Sequence, residues 1–442
     1  MRRVAIVGAG PAGMYAAEAL SKSGRVDIDI LDRLPVPCGL VRYGVAPDHV
    51  AIRSVRDTLD GILDLPGVSF LGNVEVGRDV SVEQLSRFYD AIVWCYGAPT
   101  DRSLGIDGEN LAGSISATAF VNWYTGHPDA DRSFDTLLTG PSTAAVIGVG
   151  NVAVDVARIL VSPIHALRTT EMPDHVLAAL EASTIKQVHV LGRRGPAHAS
   201  FTTKELKELG EIEGVRVIVE SRDLVRSDET VAALENDKVA SRNFAVLEEW
   251  ASRDWPHEPR SLWLHFYARP QRIRGDAAVA WLDVARTEVD AEGRARDTGQ
   301  TWELATDLVI RSVGYRGEPM PGVPFDAARG IVPNTDGRVT DHGSVAPGQY
   351  TAGWIKRGPS GIIGTNKKDA TATVAALLED LDDLPVPAER GALPSHLSAI
   401  GIVTVNRDGW RRISREECAR GVASGRDRVT IHDRVDLLTV SQ

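Results

Sequence analysis

Cysteine is scarce in this chain. Its 442 residues carry three, Cys38, Cys95 and Cys418, and no two lie close in sequence. There is no CxxC or CxxxxC pair, and so no dithiol relay to pass electrons through a redox-active disulfide. The same spacing argues against a cysteine-ligated iron–sulfur cluster or a structural zinc site within the chain, so no metal is expected. Long apolar runs are missing too, none approaching the ~18 residues of a membrane span. Positive charge is in deficit, with 49 Lys and Arg against 60 Asp and Glu. The net charge of −11 disfavours nucleic acid as a partner. Met-Arg-Arg-Val leads straight into an apolar run, leaving no room for a leader, so the cytoplasm is the expected location. The rest, 43% hydrophobic and 25% charged, is ordinary for a globular chain of two or three domains.

Glycine, by contrast, is placed with purpose. Residues 4–20, VAIVGAGPAGMYAAEAL, and residues 144–160, AAVIGVGNVAVDVARIL, share one pattern. An apolar strand-like run meets a glycine turn and then a run with helical spacing. Such a turn lets backbone approach a pyrophosphate at the positive end of the helix. The first turn carries Gly8, Gly10 and Gly13; the second carries Gly148 and Gly150. Two such units imply two dinucleotides. A strand over residues 26–31 ends at Asp32, 24 residues after Gly8, where a carboxylate is expected to bond an adenosine ribose.

DAIVWCYG (residues 90–97) and DLVIRSVG (residues 307–314) read as buried strands that end in glycine and return to a nucleotide-binding sheet. The second glycine unit lies between them. The expected fold is therefore α/β, with two Rossmann-like dinucleotide-binding domains, the second inserted into the first. Residues 1–101 and 318–442 would form the outer domain, with a C-terminal extension, and residues 102–317 the inserted one. Residues 161–183 elaborate the crossover to a strand at 187–191. Strands and loops with one helix near residues 240–252 are expected from 215 to 300. Residues 385–394 read as a surface linker and the stretch beyond as a small appended element.

The strand at 187–191 ends in Gly192-Arg193-Arg194-Gly195. Adjacent arginines there supply fixed donors for a 2′-phosphate, which favours NADP over NAD. TTKELKEL (residues 202–209) starts a helix; Thr202 and Glu205 fit a capping box, so Glu205 also has a purely structural reading. Glu208 shares its face. Residues 37–49, PCGLVRYGVAPDH, form a loop that ends in His49, a residue type more often found in packing than in chemistry. A second glycine-dense segment, residues 350–367, precedes a helix and suits contact with a polar cofactor edge.

These segments resemble an adrenodoxin-reductase-type NADPH–ferredoxin reductase. The matching stretches are VAIVGAGPAG, GLVRYGVAPDH, IGVGNVAVDVARIL, LGRRGPAHASFTTKEL, VIRSVGYRG and GWIKRGPSGIIGTNKKDA, in the family's order from residue 4 to about 370. The tail DGWRRISREECARG also resembles the family's ending. The resemblance implies FAD contacts at Gly13, Asp32, Leu40, Val74, Trp354, Gly361, Ile362 and Ile363. It implies NADP contacts at Val149, Gly150, Asn151, Val152, Arg193, Arg194, Glu205 and Gly361. It makes His49 and Glu208 a polar pair that modulates transfer beside the flavin. It further implies an acidic iron–sulfur partner of ferredoxin type, for which Arg42, Arg260, Arg269, Arg272, Arg274, Lys356 and Arg357 are candidate basic contacts. Quinones or other small acceptors are the rival substrates, and a flavin redox sensor is the non-enzymatic rival. Cys38 departs from the aromatic residue that relatives often carry, which bears on packing beside the flavin. Trp354 stands where disulfide reductases place an aspartate.

Overall fold

The computed structural model describes residues 1–290, 292–389 and 392–442. The chain divides into two compact units, the second inserted into the first. The first comprises residues 1–100, 125–129 and 315–442, the second residues 101–124 and 130–314.

The first unit is built on a seven-stranded sheet. Its strands run Asn334–Thr335, Arg338–Asp341, Ser344–Thr351, Ala91–Trp94, Arg2–Val7, Val26–Asp32 and Val68–Gly72. Neighbours from Ser344–Thr351 to Val68–Gly72 pair in parallel, and the other edge is antiparallel. Alternate residues of the first strand serve opposite faces. Val4 and Ile6 pack with Met14, Ala17 and Leu20, whereas Ala5 and Val7 pack with Ile92 and Trp94. Coverage on both faces is why this strand reads as a continuous apolar run.

The second unit carries an all-parallel six-stranded sheet. Its order is Ser114–Ser116, Leu308–Arg311, Thr143–Ile147, Gln187–Leu191, Arg260–His265 and Val215–Val219. A three-stranded antiparallel sheet, Ala268–Arg274, Trp281–Val289 and Ala295–Ala305, contributes Ala268, Ile273, Leu282 and Val284 to the core on one face. The elaborated crossover holds the helices Ile164–Leu167 and Asp174–Glu181. The expected helix near 240–252 spans Lys238–Ser252, with Asp237 capping its first N–H groups, and a second helix, Asp228–Asn236, precedes it. No helix among the described residues is long and apolar enough to cross a membrane.

The C-terminal stretch is more than an appendage. The helix Arg407–Ala423 inserts Trp410 and Ile413 into the core of the first unit. Glu417, fully buried, pairs there with the equally buried Arg42 of the 37–49 loop, which corrects the reading of Arg42 as a surface contact. Arg428 bonds Glu417 at 2.6 Å, and the N–H of Ile431 donates to it at 2.8 Å. Burial pushes the Glu417 carboxyl up, but Arg42 and Arg428 outweigh it and hold it below the usual range. Arg390 and Gly391 of the expected linker lie outside the described residues, and its far end opens the helix Leu393–Ala399.

Glu417→Ala leaves Arg42 charged and buried, and is expected to cost about 3–5 kcal/mol in urea unfolding. Because the folded pKa of Glu417 is depressed, its contribution is present above the unfolded value of about 4.3 and is lost as pH falls further. An acid titration of stability should therefore show a smaller low-pH loss in the variant than in the wild-type chain.

Candidate functional site

The first glycine turn is fixed by crowding. Gly8 has φ +111°, and a Cβ there would lie 2.5 Å from the Cys95 carbonyl oxygen. A Cβ on Gly13 would lie 1.9 Å from the Gly8 carbonyl oxygen, so the helix Pro11–Ser23 seats directly on the turn. Gly10, the N-cap, is different. Nothing lies within 4 Å of where its Cβ would be, and no side chain caps the helix. No side chain therefore satisfies the N–H groups of the first helical turn, as an anion site requires.

Asp32 locks the turn from the side. One carboxylate oxygen accepts the N–H of Ala9 at 2.7 Å and the other accepts that of Leu34 at 2.8 Å. Burial raises its pKa against the lowering effect of those two N–H groups. The 37–49 loop then crosses the turn. The N–H of Cys38 donates to the Ala9 carbonyl at 2.9 Å, and a Cβ on Gly39 would meet the Gly10 Cα at 2.9 Å. Cys38 itself is fully buried with φ +81°, and burial pushes its thiol up to about 12. Leu40 opens the short helix Leu40–Tyr43. Arg53 donates to the carbonyls of Val45 at 2.5 Å and Arg42 at 3.0 Å, fixing the loop that ends in the buried His49. Val74 is a core residue whose N–H donates to the Asp32 carbonyl.

The 350–367 segment packs onto the same helix. Gly353 has φ +81°, and a Cβ on it would lie 2.5 Å from the Ala12 Cβ. Trp354 lies with its ring centroid 5.2 Å from that of Tyr315, and its buried Nε1 has no partner among the described residues. Beyond Gly361 (φ +82°), Ile362 is 71% exposed and Ile363 begins the long helix Ile363–Asp380. An unseen residue organises this turn. Asp369 accepts the Gly353 N–H at 2.6 Å, Lys356 Nζ at 2.9 Å and Arg357 Nη1 at 3.0 Å. Lys356 and Arg357 are therefore internal braces and not the docking cations expected from sequence. The segment KKDA held the signal, since Asp369 lies one helical turn past Thr365 and follows two lysines.

The second unit repeats the device. Gly148 has φ +129°, with the Ser312 carbonyl oxygen 2.1 Å from the position of a Cβ. Gly150 caps the helix Asn151–Val161 without a side-chain bond, and only Ser200 Oγ, at 3.9 Å, comes near its Cβ position. Ala153, fully buried, takes the third small position. Val149 accepts the Ser200 N–H through its carbonyl, and Asn151 Oδ1 accepts that of Thr202 at 3.1 Å. Val152 packs on the core. Thr202 and Glu205 form the reciprocal capping box, the Thr202 hydroxyl donating to Glu205 at 2.8 Å. Glu208 lies 3.6 Å from buried Arg158 and 3.7 Å from Lys204.

Arg193 and Arg194 line a cleft of about 450 Å³ with Arg269, Glu292, Gly293, Arg294 and Ala295. Among the described residues neither Arg193 nor Arg194 meets a carboxylate. The other candidate cations are mostly committed. Arg260 donates to the carbonyls of Val161 and Ser162, Arg269 pairs with Asp297, and Arg274 pairs with Asp283 and Glu303. Arg272 is exposed and has no such partner among the described residues. The three thiols are free, with Cys38 and Cys95 buried. Among the described residues no three His, Cys, Asp or Glu side chains gather as a metal site would need.

The model of the NAD(P)-binding Rossmann-like domain matches residues 6–56. Over 456 residues the chain is 41% identical to the NADPH-ferredoxin reductase FprA of Mycobacterium tuberculosis, covering 99% of this chain and 98% of that one. It is 38% identical to the mitochondrial NADPH:adrenodoxin oxidoreductase of Homo sapiens, covering 99% and 91%. The structure of Mycobacterium tuberculosis FprA in complex with NADPH superposes with a TM-score of 0.92 at 40% identity, covering 100% of this chain and 99% of that one. Full-length identity at this level, on the same fold, makes the chain a member of the adrenodoxin-reductase-type family of NADPH–ferredoxin reductases.

Proposed function

We propose that this protein moves electrons from NADPH through FAD to a one-electron iron–sulfur acceptor of ferredoxin type, in the cytoplasm. The observation that carries the reading is the doubled glycine-capped helix start, with a carboxylate beside one and unpaired arginines beside the other.

The first unit suits FAD. The uncapped start of Pro11–Ser23 offers N–H donors for a pyrophosphate, and the closed walls at Gly8, Gly13 and Gly39 leave the open side at Gly10. Asp32 keeps lone pairs free for a ribose hydroxyl after accepting two N–H bonds. Leu40, Val74, Gly361, Ile362 and Ile363 would complete the enclosure, and the unpartnered Trp354 Nε1 would donate to a polar ring edge. The second unit suits NADP. Val149, Gly150, Asn151 and Val152 form the pyrophosphate turn, Glu205 braces the loop beside it, and Arg193 and Arg194 would take the 2′-phosphate. The residues named in the first unit would hold FAD, which when bound would supply the conversion of a two-electron donor's electrons into single ones. Hydride transfer needs no side-chain base, so the chain's work is placement. His49 and Glu208 are proposed modulators of that transfer, each held within its own unit.

Arg193→Ala and Arg194→Ala should each raise the KM for NADPH about tenfold or more, since a charge-assisted bond is worth about 1.5–3 kcal/mol. The KM for NADH should stay unchanged; equal effects on both cofactors would reject phosphate reading by these residues. A Cys38→Ala, Cys95→Ala, Cys418→Ala variant with normal flavin content should retain NADPH-dependent ferricyanide reduction. Inactivity would point to a thiol relay. In stopped-flow mixing, NADPH should bleach the flavin band, and transfer to ferredoxin should slow as salt rises through about 0.15 M, where screening shortens to about 8 Å. Reduction of an uncharged quinone should not slow, and a salt-independent ferredoxin rate would reject an acidic protein partner.

A further inference from the structure

Arg193 and Arg194 do not stand alone. Two further guanidinium groups, from strands and a turn far along the chain, line the same cleft. Arg269 enters from the strand Ala268–Arg274. Arg294 enters from the turn between Trp281–Val289 and Ala295–Ala305.

The backbone holds this hairpin against the arginine turn. The Thr287 hydroxyl donates to the Arg193 carbonyl at 2.7 Å, and the N–H of Tyr267 donates to the Arg194 carbonyl at 3.1 Å. The N–H of Thr287 in turn donates to the Tyr267 carbonyl at 2.9 Å. The Tyr267 ring lies over Gly195, where a Cβ would come within 2.3 Å of its hydroxyl. Asp290 shapes the hairpin turn, accepting the N–H groups of Glu292 at 3.1 Å and Arg294 at 2.8 Å. Beyond it, Gly293 faces His198, whose buried Nδ1 has no partner among the described residues.

Charge divides the four arginines into two kinds. Arg193 and Arg194 meet no carboxylate among the described residues. Arg269 is paired with Asp297, and Arg294 bonds Asp290 at 3.1 Å and Glu292 at 2.7 Å. An anion entering the cleft thus meets two open guanidinium groups and two that must be shared with carboxylates. A phosphate monoester dianion suits this setting, because its three terminal oxygens can be divided among several guanidinium forks.

We infer that Arg269 and Arg294 are further specificity-determining residues for the 2′-phosphate of NADP, and that Asp297 and Glu292 set how strongly the cleft holds it. This rests on the proposed reading of Arg193 and Arg194 as phosphate contacts. The hairpin forms the outer wall of the phosphate cleft. Its carboxylates compete with the phosphate for Arg269 and Arg294, so selectivity for NADP is tuned from a segment outside the glycine turn.

The test is calorimetric titration of the flavin-loaded protein with 2′,5′-ADP, with 5′-AMP as the probe lacking the 2′-phosphate. Arg294→Ala lies in an exposed turn and is the primary variant. It and Arg269→Ala should each weaken 2′,5′-ADP about 5- to 10-fold, between an exposed ion pair and a full charge-assisted bond, with 5′-AMP unchanged. Glu292→Gln and Asp297→Asn should tighten 2′,5′-ADP about two- to threefold by freeing their arginines. If Arg294→Ala and Arg269→Ala leave 2′,5′-ADP binding unchanged while Arg193→Ala weakens it, this inference falls and the NADP reading stands. If Arg193→Ala and Arg194→Ala also leave it unchanged, the NADP reading falls with it. Equal weakening of both probes by Arg294→Ala would overturn the inference as well, because the residue would then be holding the cleft's shape and not reading the phosphate.

Discussion

Backbone crowding at two glycines governs how both units are built. At Gly8 and at Gly148 the chain leaves a central strand so close to the end of a neighbouring strand that a side chain would overlap a carbonyl oxygen. The turn can only be made with φ well into the positive range, and only glycine adopts that cheaply. Once made, it leads into a helix whose start no side chain caps. The two turns are not identical. Gly13 is required because a Cβ there would strike the Gly8 carbonyl, whereas the second turn accommodates a buried alanine, Ala153, at the third small position. The other site features are arranged around these two helix starts. They include the Asp32 clamp, the Gly39 crossing, the close approach of Gly353 to Ala12, and the Asn151–Thr202 bond.

The use of charge follows from scarcity. With 49 basic residues against 60 acidic ones, carboxylates are in surplus and most guanidinium groups find one inside their own unit. Arg42 is spent on Glu417, Lys356 and Arg357 on Asp369, and Arg274 on Asp283 and Glu303. Against that background an arginine pair without a carboxylate is informative. Arg193 and Arg194 are held in place through their backbone carbonyls, and their side chains meet no carboxylate among the described residues. The two units thus place opposite charges at the corresponding strand end, Asp32 in one and Arg193 in the other.

The C-terminal helix shows how a distant segment supports the 37–49 loop. Glu417 bonds both Arg42 and Arg428, and Trp410 donates to Asp60 while stacking near Arg42. A buried charge pair of this kind adds little net stability, yet removing one partner is costly. It ties Arg42 of the 37–49 loop to the C-terminal helix.

What the sequence determined by itself is local. The glycine turns, the strand ending at Asp32, the arginines after residue 191 and the Thr202–Glu205 cap depend on neighbours a few residues away, and each is visible as a pattern. The insertion of one nucleotide-binding unit into the other was legible for the same reason, from two strand-like runs flanking the second turn. Only the tertiary structure decided which cations were free. Lys356 and Arg357 look like surface charges until the helix Ile363–Asp380 brings Asp369 beside them. Arg42 looks like a loop residue until the chain returns with Glu417. Arg269 and Arg294 meet Arg193 and Arg194 because strands pair across a large separation in sequence. Backbone conformation follows from the residues at hand, whereas the partner of a long charged side chain is fixed by where the rest of the chain arrives.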